Sequence, residues 1–159
     1  MKQKHIAMLL ALPCVLTFSG CGSPGGSGGS AVAHVQEPVP AGAARFYLVR
    51  KSVSAPSSWD YAPKLNGVPF GRLGAGTFLS ADLPPGTHTI RVESRHIDLT
   101  REVTLKAGQV AAYMFDAEKM KITEIPGSQR AAVLKSHSLS RDNYYEQRVA
   151  ETENDGASK

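Results

Sequence analysis

Residues 65–92, LNGVPFGRLGAGTFLSADLPPGTHTIRV, decide the fold. Asn66-Gly67 stands between two short runs that suit strands, and this dipeptide accepts the positive φ angles of a type I′ turn. Farther along, Pro84-Pro85-Gly86 preorganises a second turn, since proline fixes φ and glycine permits the reversal. The residues after it alternate: His88, Ile90 and Val92 face one way, while Thr87, Thr89, Arg91 and Glu93 face the other. A period of two predicts a strand with one apolar and one wet face.

The same pattern extends in both directions. Upstream, Ala44–Arg50 (ARFYLVR) is rich in strand formers. Downstream, REVTL sets Val103 and Leu105 against Glu102 and Thr104, and Val110–Phe115 (VAAYMF) is apolar on both faces, as a central covered strand would be. KMKITEI closes the series with Met120 and Ile122 expected to point inward. No helix-period segment interrupts these strands, which disfavours a βαβ enzyme fold. The expectation is an all-β domain over residues 44–126, a small antiparallel β-sandwich of seven or eight strands.

The Asn66-Gly67 hairpin, the later Leu83-Pro84-Pro85-Gly86-Thr87-His88 run and the turn Leu105-Lys106-Ala107-Gly108-Gln109 together resemble two related groups. One is the PEGA-type surface β-domains; the other is a family of small bacterial lipoproteins known as a domain of unknown function. The resemblance covers roughly residues 44–125. It implies a compact β-sandwich exposed to the cell envelope, with no shared enzymatic activity.

The amino-terminal residues carry an address. Lys2 and Lys4 precede an apolar run from Ile6 to Phe18, and Ser19, Gly20 and Cys21 follow. A positive end, an apolar run and small residues form the order of a secretory signal, here residues 1–20. The run falls short of the ~20 residues that span a bilayer, and Pro13 interrupts it. Phe18-Ser19-Gly20-Cys21 resembles a bacterial lipobox, which makes Cys21 the lipidated first residue of the mature chain. The other cysteine, Cys14, would leave with the signal, so Cys21 has no disulfide partner. Ala31-Val32-Ala33 offers an alternative cleavage form, but far beyond the apolar run. Residues 21–43 are Gly, Ser, Pro and Ala rich, a coil whose root-mean-square reach is about 25 Å. The expected location is the cell envelope, lipid-anchored, with Gly22 leaning towards the periplasmic side of the outer membrane.

Charge narrows the partners. The chain has 18 basic and 14 acidic residues; losing Lys2 and Lys4 leaves 16 against 14, a net +2. No basic stripe is present, so nucleic acid is not an expected partner.

Candidate chemistry is sparse. His88 lies on an apolar strand face and is expected as a buried, hydrogen-bonded packing residue. His96 and Asp98 have no third partner by spacing, so no metal site is expected. Neither G-x-S-x-G nor H-E-x-x-H occurs, and Gly71–Gly76 reads as turns rather than a phosphate loop. Trp59, beside Tyr61 in SAPSSWDY, either covers the sandwich edge or forms a contact surface. The tail, residues 127–159, contains two short helix candidates, QRAAVLKSH and SRDNYYEQRVAE, with Tyr145 and Val149 on one face of the second. Packing on the sandwich, binding a partner and disorder are all open for it. The functional expectation is a non-catalytic envelope protein, structural or adaptor-like, without a cofactor. The alternative is a module that binds glycan or peptide through the Trp59 loop.

Overall fold

The structure, a computed structural model, describes residues 37–52, 59–145 and 149. Cys21, the signal and most of the tether lie outside the described residues, as does the SAPSS part of the SAPSSWDY stretch. Among the described residues the elements follow in chain order: β1 (Ala44–Arg50), β2 (Lys64–Leu65), β3 (Val68–Pro69), β4 (Thr77–Leu83), β5 (Gly86–Glu93), β6 (Asp98–Leu105), β7 (Val110–Asp116), β8 (Lys121–Glu124), α1 (Gly127–Lys135) and β9 (Ser138–Leu139). The strands form two sheets, ordered β8-β7-β1-β4-β9 and β3-β2-β5-β6. The all-β, two-sheet architecture is the one the alternation predicts.

The hairpins arise from the expected turn residues. Asn66 and Gly67 both take positive φ, 52° and 81°, and close β2 onto β3. Pro69 ends the short edge strand β3, where no neighbour needs the N–H it lacks. The Asn66 backbone N–H donates to Thr89 O, and its side-chain oxygen accepts from Thr89 N–H, so the turn is stitched to β5.

The main core lies between the sheets. Phe46 and Leu48 from β1, Leu79 and Ala81 from β4, Ile90 and Val92 from β5, and Tyr113 and Phe115 from β7 meet there. His88 is buried among them, with Nδ1 at 2.9 Å from Asn66 Nδ2 and Nε2 at 2.8 Å from Pro84 O. Donation from Nε2–H to the carbonyl and acceptance at Nδ1 satisfy both nitrogens of a neutral ring.

Three features go beyond the expected arrangement. First, β1 pairs with β7 in parallel, Arg45 opposite Val110 through Arg50 opposite Phe115. Parallel neighbours need a crossover, and here the β5–β6 hairpin of the other sheet supplies it. Secondly, Met120 does not point inward: it occupies the β7–β8 turn at φ 47° and is 56 % exposed, while Ile122 is buried. Strand β8 begins only at Lys121, so the period of two did not extend back to Met120.

Thirdly, the residues after Pro126 join the packed body. Helix α1 covers the outer face of the five-stranded sheet, where Leu134 packs with Tyr47, Val49, Phe78, Ala112 and Ile125. The chain then adds β9 beside β4 in parallel and crosses towards the second sheet. Gly71 and Asn143 form a β-bridge, and Ser140 Oγ donates to Arg72 O at 2.6 Å. Gly71 has φ 151°, and a Cβ there would collide with the Asp142 carbonyl. Tyr145 finishes the crossing inside the main core, edge-on to Phe70, and Val149 packs against the same cluster. The Tyr145–Val149 face is therefore turned inward.

Packing of α1 predicts that Leu134→Ala destabilises the protein by about 2–5 kcal/mol, the range for truncating a buried leucine. Lys135→Ala, on the exposed side of the same helix, should change stability by less than about 0.5 kcal/mol. Urea melts in which both variants match the parent would show that the helix does not hold the sheet.

Candidate functional site

Strand β1 is buried along its whole length, and an arginine closes each end of it. At the start, Arg45 forms a two-pronged pair with Asp82, Nε to Oδ1 and Nη2 to Oδ2, both 2.7 Å. The remaining prongs donate to the carbonyls of Glu37 and Pro38, which fastens the incoming chain to the sheet. The Asp82 hydrogen bond, working against burial and helped by the carboxylate charge, holds the guanidinium above its ordinary range. A charged pair with this planar match offsets much of the cost of taking both ions from water.

At the other end Arg50 is 1 % exposed. Its Nη1 donates to Trp59 O at 2.6 Å and to Leu73 O at 3.2 Å. The guanidinium carbon lies 4.7 Å from the centre of the Tyr61 ring, a cation–π contact. Burial pushes the Arg50 pKa down, and the neighbouring Tyr61 and Asp60 push it back up. A guanidinium starts so high that Arg50 keeps its charge near neutral pH.

The two aromatic residues of the 59–61 segment therefore part company. Tyr61 is half-buried, bridges Leu73 with two backbone hydrogen bonds and stacks edge-on against Phe115 at 4.9 Å. Trp59 has its carbonyl locked by Arg50, yet its residue surface is 78 % exposed. It does not cover the sandwich edge. Among the described residues the large exposed hydrophobics are Trp59 and Met120. Both stand at the same end of the five-stranded sheet. Lys51 N–H donates to Phe115 O there, and Lys51 Nζ reaches Asp116 at 3.6 Å.

Asp116 organises the turn that carries Met120. Its Oδ1 accepts the backbone N–H groups of Glu118 and Lys119, each at 3.1 Å. Burial pushes this carboxyl up, but those two hydrogen bonds with Lys51 and Lys119 outweigh it and hold the group below its usual value.

The other candidates stay apart. His88 is enclosed at the opposite end, beside Pro84. His96 is exposed in the β5–β6 connection, and Asp98 accepts both prongs of Arg91 at 3.0 Å, which lowers its pKa. Among the described residues no three of His, Cys, Asp and Glu gather as a metal site. Among them, too, no helix is long and apolar enough to cross a membrane. Sequence reading missed the roles of Arg45 and Arg50. The one signal was their place at both ends of an otherwise apolar strand. No protein-family model matches the chain, and no curated protein matches it.

Two outcomes follow. Replacing Arg50 by Lys keeps the charge but loses the planar fork that spans two carbonyls. Time-resolved anisotropy of Trp59, the sole tryptophan, should then show faster local motion in a still-folded protein; unchanged anisotropy would mean that Arg50 does not fix the indole's base. For Asp116, a folded-state pKa below the unfolded value of about 3.9 adds stability at neutral pH that fades as pH falls through the folded pKa. Asp116→Asn should flatten that acid limb in melts at pH 7, 5, 3.5 and 2.5. Parallel curves for parent and variant would contradict it.

Proposed function

We propose that this is a lipid-anchored protein of the bacterial cell envelope that acts by contact rather than by catalysis. One observation carries the reading: Lys2 and Lys4, an apolar run, and Phe18-Ser19-Gly20-Cys21 directly before a glycine-serine string. A cysteine at that boundary, with no partner for a disulfide, has an account as a lipid attachment point. Acyl chains contribute about 0.8 kcal/mol per buried CH₂, so two or more hold the protein on the membrane lastingly. The anchor belongs on the periplasmic side of the outer membrane, and the partner is an envelope protein or a glycan.

The layout of the domain supports a role in contact. Arg45 ties the incoming chain to one end of the sheet, while the exposed indole of Trp59 stands at the other. The molecule is thus polar in the plain sense: one end is tethered and the far end presents a surface. Such a layout suits an adaptor or a structural protein. A second reading, a module that takes glycan or peptide at Trp59, is favoured by the fixed backbone under that exposed side chain.

The anchor is tested by processing. In the parent, intact mass should show a chain beginning at Cys21 and carrying lipid. Cys21→Ser should move the protein to the soluble fraction or stall it as precursor. An unmodified chain beginning at His34 would refute the anchor.

A further inference from the structure

We infer that the Trp59 end of the domain is a binding surface for an uncharged glycan, with Trp59 as platform and Asp60 as its hydrogen-bonding acceptor. This rests on the reading of Trp59 as a contact residue and deepens it by naming the partner's chemistry. The first ground is presentation. A buried arginine grips the Trp59 carbonyl at 2.6 Å, and two residues later Tyr61 is bridged to Leu73 and packed on Phe115. The indole is thereby offered from a fixed base, so little backbone freedom is lost when a ligand lands on it. An aromatic ring is negative on its face, and the axial C–H groups of a pyranose form a flat, weakly positive apolar face that fits it.

The second ground is what adjoins the ring. The loop that receives Arg50 at Leu73 continues as Gly74-Ala75-Gly76. A Cβ at Gly74 would stand 3.1 Å from Asp60 Oδ1, and one at Gly76 would stand 3.0 Å from Ser52 Oγ. A carboxylate and a hydroxyl thus face the small-residue loop Gly74-Ala75-Gly76, and Asp60 directly follows Trp59 in the chain. Sugar hydroxyls donate to the first and exchange hydrogen bonds with the second.

The third ground is charge. Lys51, Lys119, Lys121 and the buried Arg50 at this end stand against Asp60, Asp116 and Glu118, which leaves one net positive charge, and Lys51 lies within 4 Å of both Asp116 and Glu118. An end with so small a net charge gives little steering field for an anionic lipid headgroup or a nucleic acid. It fits a neutral polyol. The tether leaves from the opposite end, so this surface is free to point away from the membrane that holds the lipid.

The test uses the full chain reconstituted in phosphatidylethanolamine–phosphatidylglycerol vesicles, with a soluble tetrasaccharide of N-acetylglucosamine as probe. Because the chain has a single tryptophan, its emission reports on this surface alone. A saturable shift in emission with a dissociation constant of about 1 mM or tighter is expected. By calorimetry, Trp59→Ala should weaken binding at least about tenfold, whereas Trp59→Phe keeps a platform and most of the affinity. Asp60→Asn should weaken it about threefold or more, through loss of a charged acceptor. Both residues changed lie at the surface, and circular dichroism checks that each variant keeps the fold. No saturable shift up to about 10 mM probe would overturn the inference. Quenching of Trp59 by lipids brominated in their acyl chains would also overturn it, by assigning the surface to the membrane. Failure here with lipidated Cys21 intact would remove the glycan and leave the anchored contact protein standing. Loss of the anchor with binding intact would do the reverse.

Discussion

Everything in this domain follows from burying a seven-residue strand on both faces. Strand β1 alternates Phe46 and Leu48 towards one side with Tyr47 and Val49 towards the other, and each of them is at most 1 % exposed. Neither side is left to water, so each needs a layer. The four-stranded sheet covers the first and α1 covers the second. In-plane the strand also has two neighbours, β4 antiparallel and β7 parallel, and at its ends Arg45 N–H donates to Gln109 O while Arg50 O accepts from Gly76 N–H. The two arginines then solve the remaining problem, which is how a buried strand joins exposed chain. Each guanidinium collects carbonyl oxygens of the chain that flanks its end of the strand.

Local chemistry made much of the second sheet legible. The β5 alternation and the Asn66-Gly67 turn depend on neighbours in sequence, and such signals survive in a single chain. The parallel pairing of β1 with β7 does not, because both are apolar on two faces and neither states its direction. The packing of α1 was hidden for a related reason. Within it only Leu134 is buried, so the helix has almost no apolar stripe to read. Its hold on the sheet comes from Tyr47, Val49 and Phe78, whose outward-facing half looked like ordinary strand composition. Met120 failed as a core position because the turn anchored by Asp116 takes up the residues before Lys121.

The candidate surface was legible in identity and illegible in geometry. Trp59 drew attention by its type, in a polar loop. That Tyr61 would turn inward while Trp59 turned outward depends on Arg50, which is remote in the sheet and carries no motif. A buried cation is costly in isolation. Here its expense is offset by two carbonyls and a ring, and the by-product is a rigid support for an exposed indole.

The path of the last described residues bears on how the chain comes to be folded. Asn143 bridges to Gly71, its side-chain oxygen takes the N–H of Ser80, and Tyr145 fills space between the sheets. A chain made or delivered from its amino terminus presents β1 first, yet β7, α1 and the Tyr145 plug all come from later residues. Until they arrive, β1 would be a sticky apolar ribbon with one open edge and an uncovered face. Such distant pairings slow folding, since the loops must close before the contacts reward them. The Asn143–Tyr145 crossing thus bears on timing as well as on shape, because the contacts that cover β1 need residues from nearly the whole described domain.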